Sequence, residues 1–311
     1  MNIGETKSTR AAYGEALAEF GSQENIVVMD CDLSKSTMTC KFQEAYPDRF
    51  INTGIAEANM MSVAAGLASC GKVVFTSSFS MFAAGRAYEQ VRNSICYPEL
   101  NVKVAASHAG LTVGEDGASH QMIEDISLMR TIPNMTVVSP ADAVEARLAV
   151  KAAIDTDGPF YIRLGRLPFP IINDEKTYKF ELGKGITVKD GSDVTIIATG
   201  YMVSKSIEAA EILKEKGIDA RVINIHTIKP IDKEIIIKAA SETKGIVTVE
   251  EHNVMGGLGS AVAEVTSQYA PCRISFVGVQ DKFGKSGKPA QLLEEYGLTP
   301  EEIAKQAGAM L

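Results

Sequence analysis

Short β-rich runs and helical stretches take turns along almost the whole chain, and this alternation restricts the fold more than any other feature. The runs Ile26–Asp30, 50–53, 73–77, Val102–Ser107, Thr136–Val138 and 160–164 read as strands. Between them Thr9–Phe20, 39–46, 58–70, 83–95, 122–129 and 141–154 read as helices, the first after a Ser8/Thr9 capping signal. Strands separated by helices pair in parallel and carry helices on both sheet faces. The expected class is α/β, with mainly parallel sheets flanked by helices.

The alternation breaks once. Residues 168–191 are rich in Pro, Gly and charge and hold no long helix, which marks a domain boundary with room for a small hairpin. A second, smaller alternating series then runs to the end. A first domain is expected over residues 1–170, a linker over 171–190 and a second domain over 191–311.

Composition removes several classes of function. A net charge of −8 over 311 residues argues against general nucleic-acid binding and against an anionic membrane surface. No apolar run reaches the ~18 residues of a spanning helix, and the polar start MNIGETKSTR has no signal-peptide core. The cysteines Cys31, Cys40, Cys70, Cys96 and Cys272 are scattered and form no CxxC pair. They fit small buried thiols in a reducing cytoplasm rather than a zinc site or a disulfide framework.

Chemistry concentrates after predicted strands, where parallel sheets place their ligand sites. Glu57 opens the uncharged run 58–70, which reads as a helix buried all round. A carboxylate there either favours the helix dipole or needs a partner, failing which it neutralises. Local pattern leaves both accounts open. His108 and His120 flank the loop "SHAGLTVGEDGASHQ", whose glycines permit close backbone approach and whose tip carries Glu115 and Asp116. "VMDCDLSKSTMT" offers Asp32, Ser34 and Ser36, and "TSSFSMF" offers Phe79 and Phe82. "GPFYIRLGRLP" puts Arg163 and Arg166 at a strand end, where an arginine is a candidate anion clamp. "NVMGGLGSA" lacks GxGxxG spacing and reads as a tight strand-to-helix turn. His226 and His252 read as structural or interfacial.

The blocks "NTGIAEANM", "TSSFSMF", "GEDGASHQMIEDISLMRTIPNM", "VVSPAD" and "DKFGKSGKPAQLLEEYGLT", in this order, resemble transketolase, specifically its C-terminal two-thirds, over nearly the whole chain. The family's diphosphate-binding domain uses a motif that begins Gly-Asp-Gly, and this chain has none. The resemblance therefore implies the C-terminal subunit of a split transketolase: a pyrimidine-binding domain plus a C-terminal domain. A partner chain, the N-terminal subunit, would supply the missing domain and with it Mg2+ or Ca2+. Two copies of each subunit, an α2β2 assembly with a large apolar interface, are expected, with the helix 58–70 near that interface.

By match to the family, Glu57 would hydrogen-bond a pyrimidine nitrogen of thiamine diphosphate and promote its imino tautomer, the catalytic form of the cofactor. Phe82 would pack on the pyrimidine ring with Phe79 nearby, and Asp32 would support the cofactor. His108 and His120 would line the substrate channel and act in catalysis, and Asp116 would bind a donor hydroxyl. Arg10, Ser36 and Arg163 would hold the sugar phosphate. One departure stands out. Many transketolases have a tyrosine three residues after the stacking phenylalanine, where this chain has Gly85, and "RAYEQV" resembles the deoxyxylulose-phosphate synthases. The implied reaction is transfer of a two-carbon ketol unit from a ketose phosphate to an aldose phosphate. The alternatives are the beta subunit of a 2-oxoacid dehydrogenase decarboxylating component and a non-catalytic paralogue acting as an interaction protein. GEDGASHQ and DKFGKSG favour transketolase.

Overall fold

The computed structural model describes the whole chain, Met1–Leu311. Its first sheet has seven strands in the order Thr227–Lys229, Thr136–Val138, Phe160–Arg163, Val102–Ser107, Val73–Phe79, Ile26–Asp30 and Phe50–Asn52. All pair in parallel except Thr227–Lys229. The second sheet has five strands: Ile274–Val279, Ile246–Asn253, Val194–Ala198, Ala220–Asn224 and the antiparallel edge strand Ile186–Lys189. The α/β class expected from the alternation is the class observed.

Period-two alternation decides which face each strand residue serves. In Val73–Phe79, Phe75 faces a core formed with helices Thr9–Phe20 and Ala143–Asp155, where Tyr13, Leu17 and Val150 are buried. Val74 faces the opposite core, with Met60, Met61 and Ala64 of helix Glu57–Ser69. That second core runs on into the C-terminal unit through Ile197, Ile223 and Leu258. Buried polar contacts also lock the two units. The Glu145 carboxylate accepts from Asn224 Nδ2 at 2.6 Å and from the Tyr178 hydroxyl.

Three local expectations change. The hairpin expected within 168–191 does not form. Pro168–Pro170 pairs with Thr6–Ser8, while Ile186–Lys189 joins the second sheet. Thr227–Lys229 crosses from the second series to the edge of the first sheet. Such pairings depend on distant edges that offer free N–H and C=O groups, which no local pattern encodes. Second, the stretch expected as one helix over 83–95 is a succession of wide π-type turns, Met81–Arg86 and Val91–Cys96, around the short helix Tyr88–Gln90. Third, the helix after Glu57 is not buried all round. Met60, Met61, Ala64, Ala65 and Ala68 face the core, whereas Ser62, Val63, Gly66 and Ser69 lie open, as does Ile55 just before the helix. The chain itself covers only one side of this uncharged helix.

No helix is long and apolar enough to cross a membrane.

Candidate active site

Strand order reverses direction between Ile26–Asp30 and Val73–Phe79: the chain goes outward from the first to Phe50–Asn52, then returns to place the second on the other side. Such a switch point opens a crevice at the carboxyl ends of the strands. The loops there deliver the candidate residues.

Glu57 is the first residue of its helix, 1% exposed, and it has partners. Ser78 Oγ donates to its Oε1 at 3.1 Å, and Arg86 Nη1 donates to its Oε2 at 2.7 Å. Alternation explains Ser78: its neighbour Ser77 points to the other face and meets the Tyr13 hydroxyl at 2.7 Å. Arg86 thereby joins the candidate site, although the sequence shows it only as the first residue of "RAYEQV" and gives it no role. Its guanidinium also lies over the Phe82 ring, 4.5 Å from the centroid. The sequence signals are its spacing from Phe82, the Gly85 departure and its place at the head of "RAYEQV", none of which fixes a partner.

Phe79, Phe82, His108 and His120 come together as one aromatic cluster. Phe79 stacks on His108 with centroids 3.8 Å apart and lies 6.2 Å from Phe82. His120 meets Phe82 edge-on at 5.3 Å. His108 adopts a left-handed backbone conformation, φ 59°, just past the end of Val102–Ser107. That is unusual for a residue with a Cβ and is the kind of strain found at functional sites. Its Nδ1 pairs with Ser107 Oγ at 2.9 Å.

Cations line one side of the cluster. Arg10 donates through Nε to the Arg166 carbonyl at 3.1 Å and through Nη1 to the Ser36 carbonyl at 2.6 Å, so Arg10, Ser36 and Arg166 are neighbours. Arg166 Nη1 donates to the Val113 carbonyl at 2.6 Å. Burial, then the charges of Arg10, Arg166 and His120, push the His108 pKa down to about 3. Its imidazole is expected to stay neutral through the physiological range. A group with a depressed folded pKa contributes stability that is present above its ordinary value near 6.5. That contribution is lost as pH falls toward about 3. The NMR titration of the ring Cε1 proton checks this; a midpoint near 6.5 would contradict it.

The structure corrects one placement. Arg163 does not reach the cation group. It is buried beneath the domain junction, where its Nε donates to Asp125 Oδ2 at 2.8 Å and its Nη2 to the Glu251 carbonyl at 2.9 Å. Arg166, three residues on and past the strand, takes the position at the cleft. Asp32 is exposed, with φ 64°, and its backbone N–H donates to the Asn52 side chain at 3.0 Å. Asp116 lies on the exposed tip of its loop.

Two residues that the sequence reading passes over build these loops. Buried Asp30 accepts from Leu33 N, Thr37 Oγ1 and Thr39 Oγ1 and so shapes the loop that carries Asp32 and Ser36. Buried Gln121 donates to the carbonyls of Leu111, Gly114 and Lys285, binding the glycine loop to the C-terminal unit. The turn "NVMGGLGSA" is closed by the chain itself. Leu258 N and Gly259 N donate to the Glu250 carboxylate at 2.7 and 2.8 Å, and a Cβ on Gly257 would fall 2.0 Å from it. No group of three His, Cys, Asp or Glu side chains is arranged to hold a metal ion.

Comparison with known proteins bears on this geometry. The family models "Transketolase, pyrimidine binding domain" and "Transketolase, C-terminal domain" match residues 5–170 and 183–303. A protein of Methanocaldococcus jannaschii described as a transketolase C-terminal section is 52% identical, covering 96% of this chain and 95% of that one. A 6-deoxy-6-sulfo-D-fructose transketolase subunit of a Clostridium species is 44% identical, covering 96% and 92%. A solved structure described as "Split gene transketolase, inactive beta4 tetramer" superposes with a TM-score of 0.90 at 51% identity, covering 99% of both chains.

Proposed function

The chain belongs to the transketolase family, and from that premise we propose that it is the C-terminal subunit of a split, thiamine diphosphate-dependent transketolase. It transfers a two-carbon ketol unit between sugar phosphates together with an N-terminal partner. The observation that carries the reading is the cleft itself: a buried carboxylate, Glu57, is joined through Arg86 to the face of Phe82, a member of one aromatic cluster. A flat ring with hydrogen-bonding nitrogens fits that donor set, because aromatic faces favour offset stacking and a buried carboxylate seeks a polar partner.

When bound, thiamine diphosphate supplies the nucleophilic carbon that carries the ketol unit. This chain's residues do the rest. Glu57 holds a proton at the pyrimidine edge, and Phe82, backed by Phe79, sets the plane of the ring. Asp32, exposed beside Asn52, supports the cofactor from the side open to a partner. His108, neutral and fixed by Ser107, donates to or accepts from substrate oxygens without carrying charge, and His120, in the same cluster, lines the channel with it. Asp116 takes a donor hydroxyl. Arg10 and Arg166, with Ser36, grip the anionic end of the sugar. The Clostridium relative supports such a grip, since the sugar in its name ends in a sulfonate. The diphosphate and its Mg2+ or Ca2+ are assigned to the partner, and the open face of helix Glu57–Ser69 to the contact with it. By analogy with the split-gene neighbour, an inactive tetramer of beta chains, this chain alone is expected to self-associate without activity.

Reconstitution tests the proposal. The chain is assayed alone and with an N-terminal subunit, with thiamine diphosphate and Mg2+, for ketol transfer from xylulose 5-phosphate to ribose 5-phosphate. Activity only in the mixture supports it. Turnover of a 2-oxoacid and none of sugar phosphate would move the chain to the dehydrogenase family. Within the active mixture, Arg166→Ala is expected to raise KM for the phosphosugar at least tenfold with a smaller change in kcat. Loss of a charge-assisted pair to a bound anion acts first on binding. An unchanged KM would remove Arg166 from the grip.

A further inference from the structure

Arg86 does something in the cleft that the proposed reaction does not use. Its guanidinium is a flat, nitrogen-rich plane. It lies over Phe82, 4.5 Å from the ring centroid, and donates to Glu57 Oε2 at 2.7 Å. Those are the two contacts, one stacking and one hydrogen-bonding to Glu57, that the pyrimidine ring needs under the reading above, on which this inference rests. The pairing is lopsided: the arginine side chain is 50% exposed and the carboxylate 1%. Arg86 can return to water at small cost, whereas Glu57 cannot. The surroundings leave room for such a movement. Gly85 adds no side chain, and even a Cβ there would find only the Met81 sulfur, at 3.5 Å. The backbone runs in a wide π-type turn, Met81–Arg86, a form often found at functional sites.

We infer that Arg86 is a displaceable place-holder: in the cofactor-free chain it neutralises Glu57 and covers Phe82, and it swings out to solvent when the cofactor's pyrimidine enters. It is a positioning residue that acts through Glu57. The binding-competent state is then a minority of the free protein, and apparent affinity is reduced by that fraction.

The test is calorimetric titration of thiamine diphosphate, with Mg2+, into the complex of this chain with its N-terminal partner. If the place-holder covers the site about nine-tenths of the time, Arg86→Met tightens Kd about tenfold. Arg86→Lys, which keeps the charge but loses the flat fork, is expected to fall between. In a Glu57→Gln background the same Arg86→Met change should alter Kd by less than about twofold, because the ion pair is already gone. A weaker or unchanged Kd for Arg86→Met in the otherwise native chain overturns the inference and marks Arg86 as a cofactor contact or a structural residue. Absence of binding by the native complex would overturn the cofactor reading itself, and this inference with it.

Discussion

Glu57→Gln is expected to lower kcat for ketol transfer by about 10²–10⁴-fold, the range for losing a positioned proton-transfer group. The substitution keeps the volume of the side chain and an oxygen for Ser78 Oγ, which donates to Glu57 at 3.1 Å. It removes the charge that can share a proton with a ring nitrogen. Arg86, already half in water, resolvates when its partner becomes neutral, so the fold is expected to survive with a small change in melting temperature. Kinetics at saturating cofactor separate the accounts. A kcat within about threefold of wild type would leave Glu57 with only a helix-dipole role, worth about 0.3–1 kcal/mol at an ordinary surface position.

The second large effect lies outside the cleft. Arg163→Met is expected to destabilise the chain by about 3–5 kcal/mol, the usual cost of removing one partner from a buried ion pair. Asp125, 0% exposed, would keep its hydrogen bond from the Tyr161 hydroxyl at 2.8 Å and lose its only cation. The Glu251 carbonyl would lose its donor as well. At about 2–4 °C per kcal/mol for a chain of this order of size, the melting temperature should fall by roughly 10 °C. Replacing Asp125 together with Arg163 by apolar residues should recover much of the loss. A normal melting curve with a raised KM for phosphosugars would return Arg163 to the substrate. The contrast with Arg166→Ala, which should act on KM and leave melting near wild type, makes the pair decisive.

Much of the fold and the cleft is legible in the sequence, and the reason differs by residue. His108 stands out as a candidate because it lies just past a β-rich run, where parallel sheets place ligand sites, and His120 because it closes the same glycine-rich loop, whereas local pattern leaves Glu57 open and only the resemblance gives it a role. Phe79 and Phe82 are found by resemblance, since two phenylalanines three apart usually belong to a core. Arg86 is hidden because its meaning lies in Glu57, twenty-nine residues away, and in a wide turn that helical periodicity does not reveal. Asp30 reads as the end of an apolar strand, although its carboxylate shapes the neighbouring loop. The helix after Glu57 looks buried all round because an uncharged run does not say which molecule covers each side.

The sequence by itself determined the α/β class and put the candidate residues near strand ends, because side-chain periodicity and the strand–helix alternation are local properties. The choice between Arg163 and Arg166 was not local. Arg163 ends the strand Phe160–Arg163 and Arg166 lies three residues on. One meets Asp125 and the C-terminal unit, and the other meets Arg10 and the glycine loop. Tertiary structure also decided that Thr227–Lys229 would edge the first sheet. Which distant group lies within hydrogen-bond reach depends on register and packing summed over the whole chain. A buried charge must find its partner there, wherever the sequence has put it.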